Sequence, residues 1–293
     1  MINQSKGCQQ KSRRFVLTQR DMHVLEWIST ARLATREQLQ RLFFSERGRS
    51  RCQYRLTQMV RHRYLDRIEG RFPNELDVYL VSRRATRGIR LLRQLGNREA
   101  VAPFAVARPR VNHILNIADT RIQIMLACRS TGMTLRFWAN EEQLAPLTAQ
   151  YGFIPDGYFQ TQRESTAGSS LAAFFVEVER SLKSRRQLQE RFKRYGDFYY
   201  SGEYGRIFGT KALRVLFLVA SEYGINPARQ LETYSKMCEH IGATFFRFAA
   251  LEQVKNLPGA EMLHAPIWRQ PGATDPRPLF GPTSSETHHD YDS

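Results

Sequence analysis

The chain has 293 residues, 42% hydrophobic and 11% aromatic, with 44 Lys+Arg against 28 Asp+Glu and a net charge of +16. That is room for two ordinary domains with packed cores, which excludes bulk disorder; no apolar run approaches the roughly 18 residues of a spanning helix. The charge is uneven: residues 1–111 hold 24 basic and 9 acidic residues and residues 112–293 hold 20 and 19, so the first third expects a polyanion, with nucleic acid ahead of an anionic membrane surface.

Residues 1–14 read as a flexible basic arm without the apolar centre of a signal peptide. From Thr18 the pattern is helical. Thr18 is a candidate cap with Asp21 in the first turn, and Met22, Leu25 and Ile28 recur on one face. A second start at Thr35 is followed by Leu39, Leu42 and Phe43. After a loop at Ser45–Gly48, a third helix over Ser50–His62 has Leu56, Met59 and Val60 on its apolar side. Leu65–Glu69 and Leu76–Val81 read as strands flanking a turn. Three short helices and a hairpin are the order of a winged helix-turn-helix. It is assigned to residues 15–97, with Thr86–Leu95 a further basic helix.

Residues 98–111 read as a linker. A domain follows over 112–257: a helix at Asn112–Ser130, strands at Leu135–Ala139, Phe153–Phe159 and Ala172–Glu179, and a basic helix at Ser184–Tyr200. Then come a strand at Leu213–Ala220, a helix at Asn226–Ile241 and a strand at Thr244–Ala250. The pattern gives a mixed sheet flanked by helices, so the whole chain is α+β. Residues 258–293, rich in Pro, Gly, Ser and Thr, read as a disordered tail. Cys8, Cys52, Cys128 and Cys238 are scattered with no C-x-x-C pair, which favours neither a zinc site nor a disulfide framework and fits a reduced cytoplasmic protein.

In a helix-turn-helix the second helix of the pair enters the major groove. On Ser50–His62 and its start, Arg49, Arg51 and Arg55 are placed to reach phosphates or guanine edges, with Gln53 and Tyr54 to read bases or backbone. Arg71 at the wing tip is placed for the minor groove. In the second domain Glu177 and Glu179 are two apart in a strand and share a face. With Asp156 they form an acidic constellation beside apolar neighbours, costly unless neutralised. Mg²⁺ or Mn²⁺ would do that, and the cations of the next helix, including Arg191 and Lys193, would suit phosphodiester hydrolysis. The competing reading has the two glutamates line a solvated edge or pair with those arginines.

The Thr18, Arg20, Asp21 helix, the Thr35, Gln38, Leu39 helix and the Arg55-Leu56 helix resemble the winged helix of the replication-relaxation family, found on plasmids and integrative elements. The resemblance continues through His113, Trp138-Ala139-Asn140-Glu141, Pro155-Asp156-Gly157, Phe175, Glu177, Glu179, Arg180 and Tyr195. It covers about residues 15–220. The second half also looks like a PD-(D/E)xK nuclease core. That likeness implies metal-binding roles for Asp156 and Glu177, with Glu141 or Glu142 as an additional acid, and a phosphate contact for Tyr195. The pattern's lysine position holds Glu179 instead, so a cation from the following helix, Arg191 or Lys193, would have to serve. The expectation is a protein that binds double-stranded DNA, acting in replication, mobilisation or regulation of a plasmid or mobile element. Its nuclease-like domain is either non-catalytic or an active Mg²⁺- or Mn²⁺-dependent endonuclease or nickase. A second copy of the chain, or replication and transfer proteins of the element, are further expected partners.

Overall fold

Reciprocal caps set the start of the first two helices. The computed structural model describes residues 15–44, 48–70, 76–96, 108–165, 168–181, 183–221, 226–259 and 261–280. In α1 (Gln19–Ala31) the Thr18 hydroxyl accepts from the Asp21 N–H and the Asp21 carboxylate accepts from the Thr18 N–H at 2.7 Å. Thr35 and Gln38 make the same box at α2 (Arg36–Phe43). Helix α3 (Arg49–Arg61) buries Cys52, Leu56 and Met59, an i, i+4, i+7 stripe.

Strands β2 (Asp66–Ile68) and β3 (Val78–Leu80) form the hairpin, and β1 (Leu33–Thr35) pairs with β3 to give an antiparallel sheet of order β1-β3-β2. Strand β1 escapes a sequence reading because its three residues are all buried and show no alternation. Helix α4 (Thr86–Gln94) follows. This is the element order of a winged helix-turn-helix. The expected wing-tip residue Arg71, the arm 1–14 and most of the expected linker lie outside the described residues.

The chain divides into two compact units, residues 1–105 and 106–293. The second opens on α5 (Arg108–Thr131), so the last residues of the expected linker are helical. Its sheet has the order β4-β5-β6-β7-β8, formed by β4 (Thr134–Asn140), β5 (Gly157–Ser165), β6 (Gly168–Glu179), β7 (Arg214–Val219) and β8 (Phe246–Ala250). β4, β5 and β6 are antiparallel neighbours, and β6, β7 and β8 run parallel, so the sheet is mixed and the protein α+β.

The two faces of β6 read directly from its alternation. Ala173 and Phe175 join one core, with Phe192 and Tyr195 of α7 (Arg185–Tyr200), Tyr204 of α8 (Glu203–Phe208) and Tyr234 of α9 (Pro227–His240). Ala172, Phe174, Val176 and Val178 join the other, with Ile124 of α5, Val254 of α10 (Leu251–Asn256) and Met262 of α11 (Glu261–His264). Helix α6 (Glu141–Thr148) links β4 to the segment before β5 and adds Leu144 to the first core. The expected disordered tail is corrected over its described part. Trp268 is fully buried, donates its indole N–H to the Met262 carbonyl at 3.1 Å, and pairs through its backbone with Arg277. A single large aromatic outweighs the loop-like composition around it, because its burial removes so much apolar surface from water.

Candidate nucleic-acid interface and acid cluster

The first unit presents α3. Opposite its buried stripe, Ser50, Tyr54, Thr57 and Arg61 are exposed, and Arg49 and Arg51 are exposed beside them. Tyr54 keeps 60% of its surface exposed, unusual for an aromatic side chain, while bearing a phenol able to bond phosphate or base. Gln53 is half-buried and its side chain is shared between Arg36 and Thr57 at 3.4 and 3.5 Å.

Arg55 departs from the expected groove-facing role. Its guanidinium grips Asp21, donates to the Val16 carbonyl at 3.0 Å and lies 4.4 Å from the centre of the Phe15 ring. Burial alone would raise the Asp21 pKa, but the bonds from Arg55 and Thr18 overcome it and hold the carboxyl below its ordinary value. Arg55 therefore ties residues 15–21 to α3. Spacing on α3 could not show this, because the partner acid sits on α1.

In the second unit the three predicted acids do gather. Gly157 pairs with Val176 across β5 and β6, which brings Asp156 beside Glu177 at the strand entrance. Gly157 is required there, since a Cβ would meet the Trp138 ring at 2.5 Å. The side chains of Glu177 and Glu179 are buried on the α7 face. Glu177 is bonded by Arg191 through one oxygen and by the Tyr195 hydroxyl through the other. Glu179 accepts from Arg191 at 3.1 Å, from the Ser181 N–H and hydroxyl at 3.1 and 2.9 Å, and from Lys183. Asp156 accepts from the Val178 N–H at 2.7 Å, and its other oxygen lies 2.9 Å from His113 Nε2.

The electrostatics follow from burial. Desolvation pushes Glu177 up to about 7, against the pull of Arg191. Arg191 is itself held above its ordinary value: burial works against its charge, and the surrounding acids outweigh that. Tyr195 is raised well above the usual phenol range by burial and by Glu177, so it stays a hydrogen-bond donor. For His113, burial favours the neutral ring, yet the bond and charge of Asp156 raise its pKa overall.

The other expected residues go elsewhere. Lys193 pairs with Asp197 at 2.6 Å on the exposed side of α7. Glu141 pairs with Arg110 at 3.2 Å. Tyr195, expected at phosphate, is spent on Glu177. His113, Lys183 and Ser181 complete the cluster, and no spacing rule places them there, because His113 comes from the far helix α5 and the other two from the turn after β6.

Every oxygen of Asp156, Glu177 and Glu179 thus has a protein partner, and an arginine fills the space between the two glutamates. As arranged, these residues do not fit a divalent ion, which would have to displace a buried guanidinium from two carboxylates. Among the described residues no group of three His, Cys, Asp or Glu side chains is disposed to hold a metal.

An outward basic helix on a small helix-and-hairpin unit, joined to a mixed-sheet unit with a cation-filled acid cluster, makes an α+β protein. The chain belongs to the replication-relaxation family, whose model matches residues 25–210. The match runs from α1 past α8, so both α3 and the acid cluster lie inside it. Membership ties the chain to replication or relaxation of plasmids or mobile elements. Searches of curated proteins and of solved structures return no match. No helix among the described residues is long and apolar enough to cross a membrane.

Proposed function

We propose that this protein binds duplex DNA through α3 of its first unit, in the replication or mobilisation of a plasmid or mobile element or in its control. Its second unit keeps the acid placement of a PD-(D/E)xK fold in a non-catalytic form. One contrast carries the reading. The exposed arginines of α3 have no acid on their own helix, whereas Arg191 of α7 is locked onto Glu177 and Glu179. Unpaired surface arginines suit phosphate and base edges. A guanidinium bonded to both acids leaves no open coordination for chemistry.

The test has two arms. The full chain should bind duplex DNA with affinity that falls steeply as salt rises, and supercoiled plasmid should remain uncut with Mg²⁺ or Mn²⁺. Salt-insensitive or absent binding would remove the first half. Cleavage by the wild type that disappears in Asp156→Ala and Glu177→Ala would replace the second half with an active metal-dependent endonuclease.

A further inference from the structure

A groove of about 660 Å³ runs between the last turn of α3, residues 15–17 and α4, away from the start of α3. Arg61, Arg87 and Arg90 line it together with His62, Tyr64 and Phe15, and no acidic residue lines it among the described residues. The three arginines are exposed, and none is ion-paired among the described residues. Cations gathered this way repel one another, so the arrangement is stabilised by an incoming anion.

The groove is built, and its walls are fixed. Gly88 lets α4 approach so closely that a Cβ there would lie 2.0 Å from the Tyr64 carbonyl oxygen. The N–H groups of Arg87 and Gly88 donate to the Arg63 carbonyl at 3.0 and 3.2 Å. These contacts set Arg87 and Arg90, one helical turn apart, over the end of α3. The opposite wall is held by the Arg55–Asp21 tie.

The ligand class follows from what the aromatic ring can do. His62 stacks on Phe15 with centroids 4.9 Å apart and rings 5° from parallel, and the Arg55 guanidinium also lies over Phe15, 4.4 Å from its centre. Phe15 is therefore committed within the protein and is no platform for a base, which single-strand binding would need. Arginine forks on an open groove suit phosphate oxygens. Arg61 also belongs to the outward stripe of α3, so the groove continues the surface that carries Tyr54. We infer that this groove is a second DNA contact that takes the phosphodiester backbone of duplex DNA beside the α3 site and reads no base.

The inference rests on duplex binding by the first unit, and the experiment separates the two. Affinity of the full chain would be measured across a salt series for wild type, Arg87→Ala/Arg90→Ala, Arg87→Lys/Arg90→Lys and Arg61→Gln, on one duplex, a scrambled duplex and a single strand. Two lost phosphate contacts should flatten the slope of log affinity against log salt by about 1.8, and one by about 0.9. The loss in the alanine pair should be equal on both duplexes, and the lysine pair should keep most of the slope. Arg61→Gln, on a different helix, gives an independent reading if the alanine pair unfolds. A wild type without salt-dependent duplex binding overturns both readings. A wild type that binds, with slopes unchanged in the variants, overturns the groove alone. So does a loss confined to one sequence or to the single strand.

Discussion

Helices α3 and α7 look alike as sequence in being arginine-rich, yet they sit in opposite electrostatic settings. Helix α3 contains no acidic residue, and Arg49, Arg51 and Arg61 remain at its surface. Helix α7 carries its own acids: Arg186 pairs with Glu190 at 3.0 Å and Lys193 with Asp197 at 2.6 Å, while Arg194 donates to the Gly152 carbonyl at 2.6 Å. Each helix also turns one arginine inward onto a buried acid, Arg55 onto Asp21 and Arg191 onto Glu177 and Glu179. The comparison teaches that a basic helix advertises a polyanion partner only by its cations left over after local pairing. By that measure α3 keeps exposed arginines with no acid on their own helix, as the proposed function needs, and α7 pairs its cations locally.

The strongest way to break the comparison is to remove Arg191. Arg191→Ala leaves two buried carboxylates without their shared cation and should cost about 3–5 kcal/mol in denaturant unfolding. The double variant Arg191→Met/Glu177→Gln should recover part of that loss, because it removes the charge on both sides. A near-neutral Arg191→Ala would mean the cluster is solvated and open.

Arg55→Ala should be the next largest, about 2–4 kcal/mol, since it strands Asp21. The pH dependence checks the cause. A depressed Asp21 pKa contributes stability that is fully present above its ordinary value of 3.8 and is lost as pH falls through the folded value. Unfolding measured down the acid limb should therefore be shallower in Arg55→Ala than in wild type.

Arg51→Ala should leave stability within about 0.5 kcal/mol, as expected for an exposed side chain. Its DNA affinity should fall by about 1–3 kcal/mol if it reads a base, and only slightly and uniformly if it meets phosphate. Titration against a panel of duplexes decides between these. A stability loss matching that of Arg55→Ala would erase the distinction between outward and inward arginines on α3.

The smallest effect concerns His113. Its raised pKa contributes stability that is fully present below the ordinary value of 6.5 and is lost as pH rises through the folded value. His113→Asn should remove that pH dependence at a cost of about 1 kcal/mol. A ring titration followed by NMR should show the wild-type pKa falling when Asp156 is changed to Asn.

Much of the architecture was legible because it is written in local rules. Thr18 and Thr35 announce helix starts through side chains that bond their own helix, and the alternation of Phe174 to Glu179 announces a strand with two different faces. Strand β1 and the packed segment at Trp268 were not legible. The first is too short for a period, and the second depends on an aromatic finding a pocket made by distant elements. At the candidate site, the convergence of Asp156, Glu177 and Glu179 followed from strand pairing and period. The identity of the cation did not. Arg191 and Lys193 are two residues apart on α7, and a helix turns about 100° per residue. Once Leu188, Phe192 and Tyr195 face the core, Arg191 is carried inward and Lys193 outward.

By itself the sequence determined the α+β class, the run of helices and strands, the concentration of positive charge in the first third and the family. These depend on composition, caps and periodicity, which act within a few residues. Only the tertiary structure decided which arginines are free and which are locked. An ion pair such as Arg55 with Asp21 or Arg191 with Glu177 joins residues far apart in the chain, and its strength depends on how thoroughly the fold removes both partners from water.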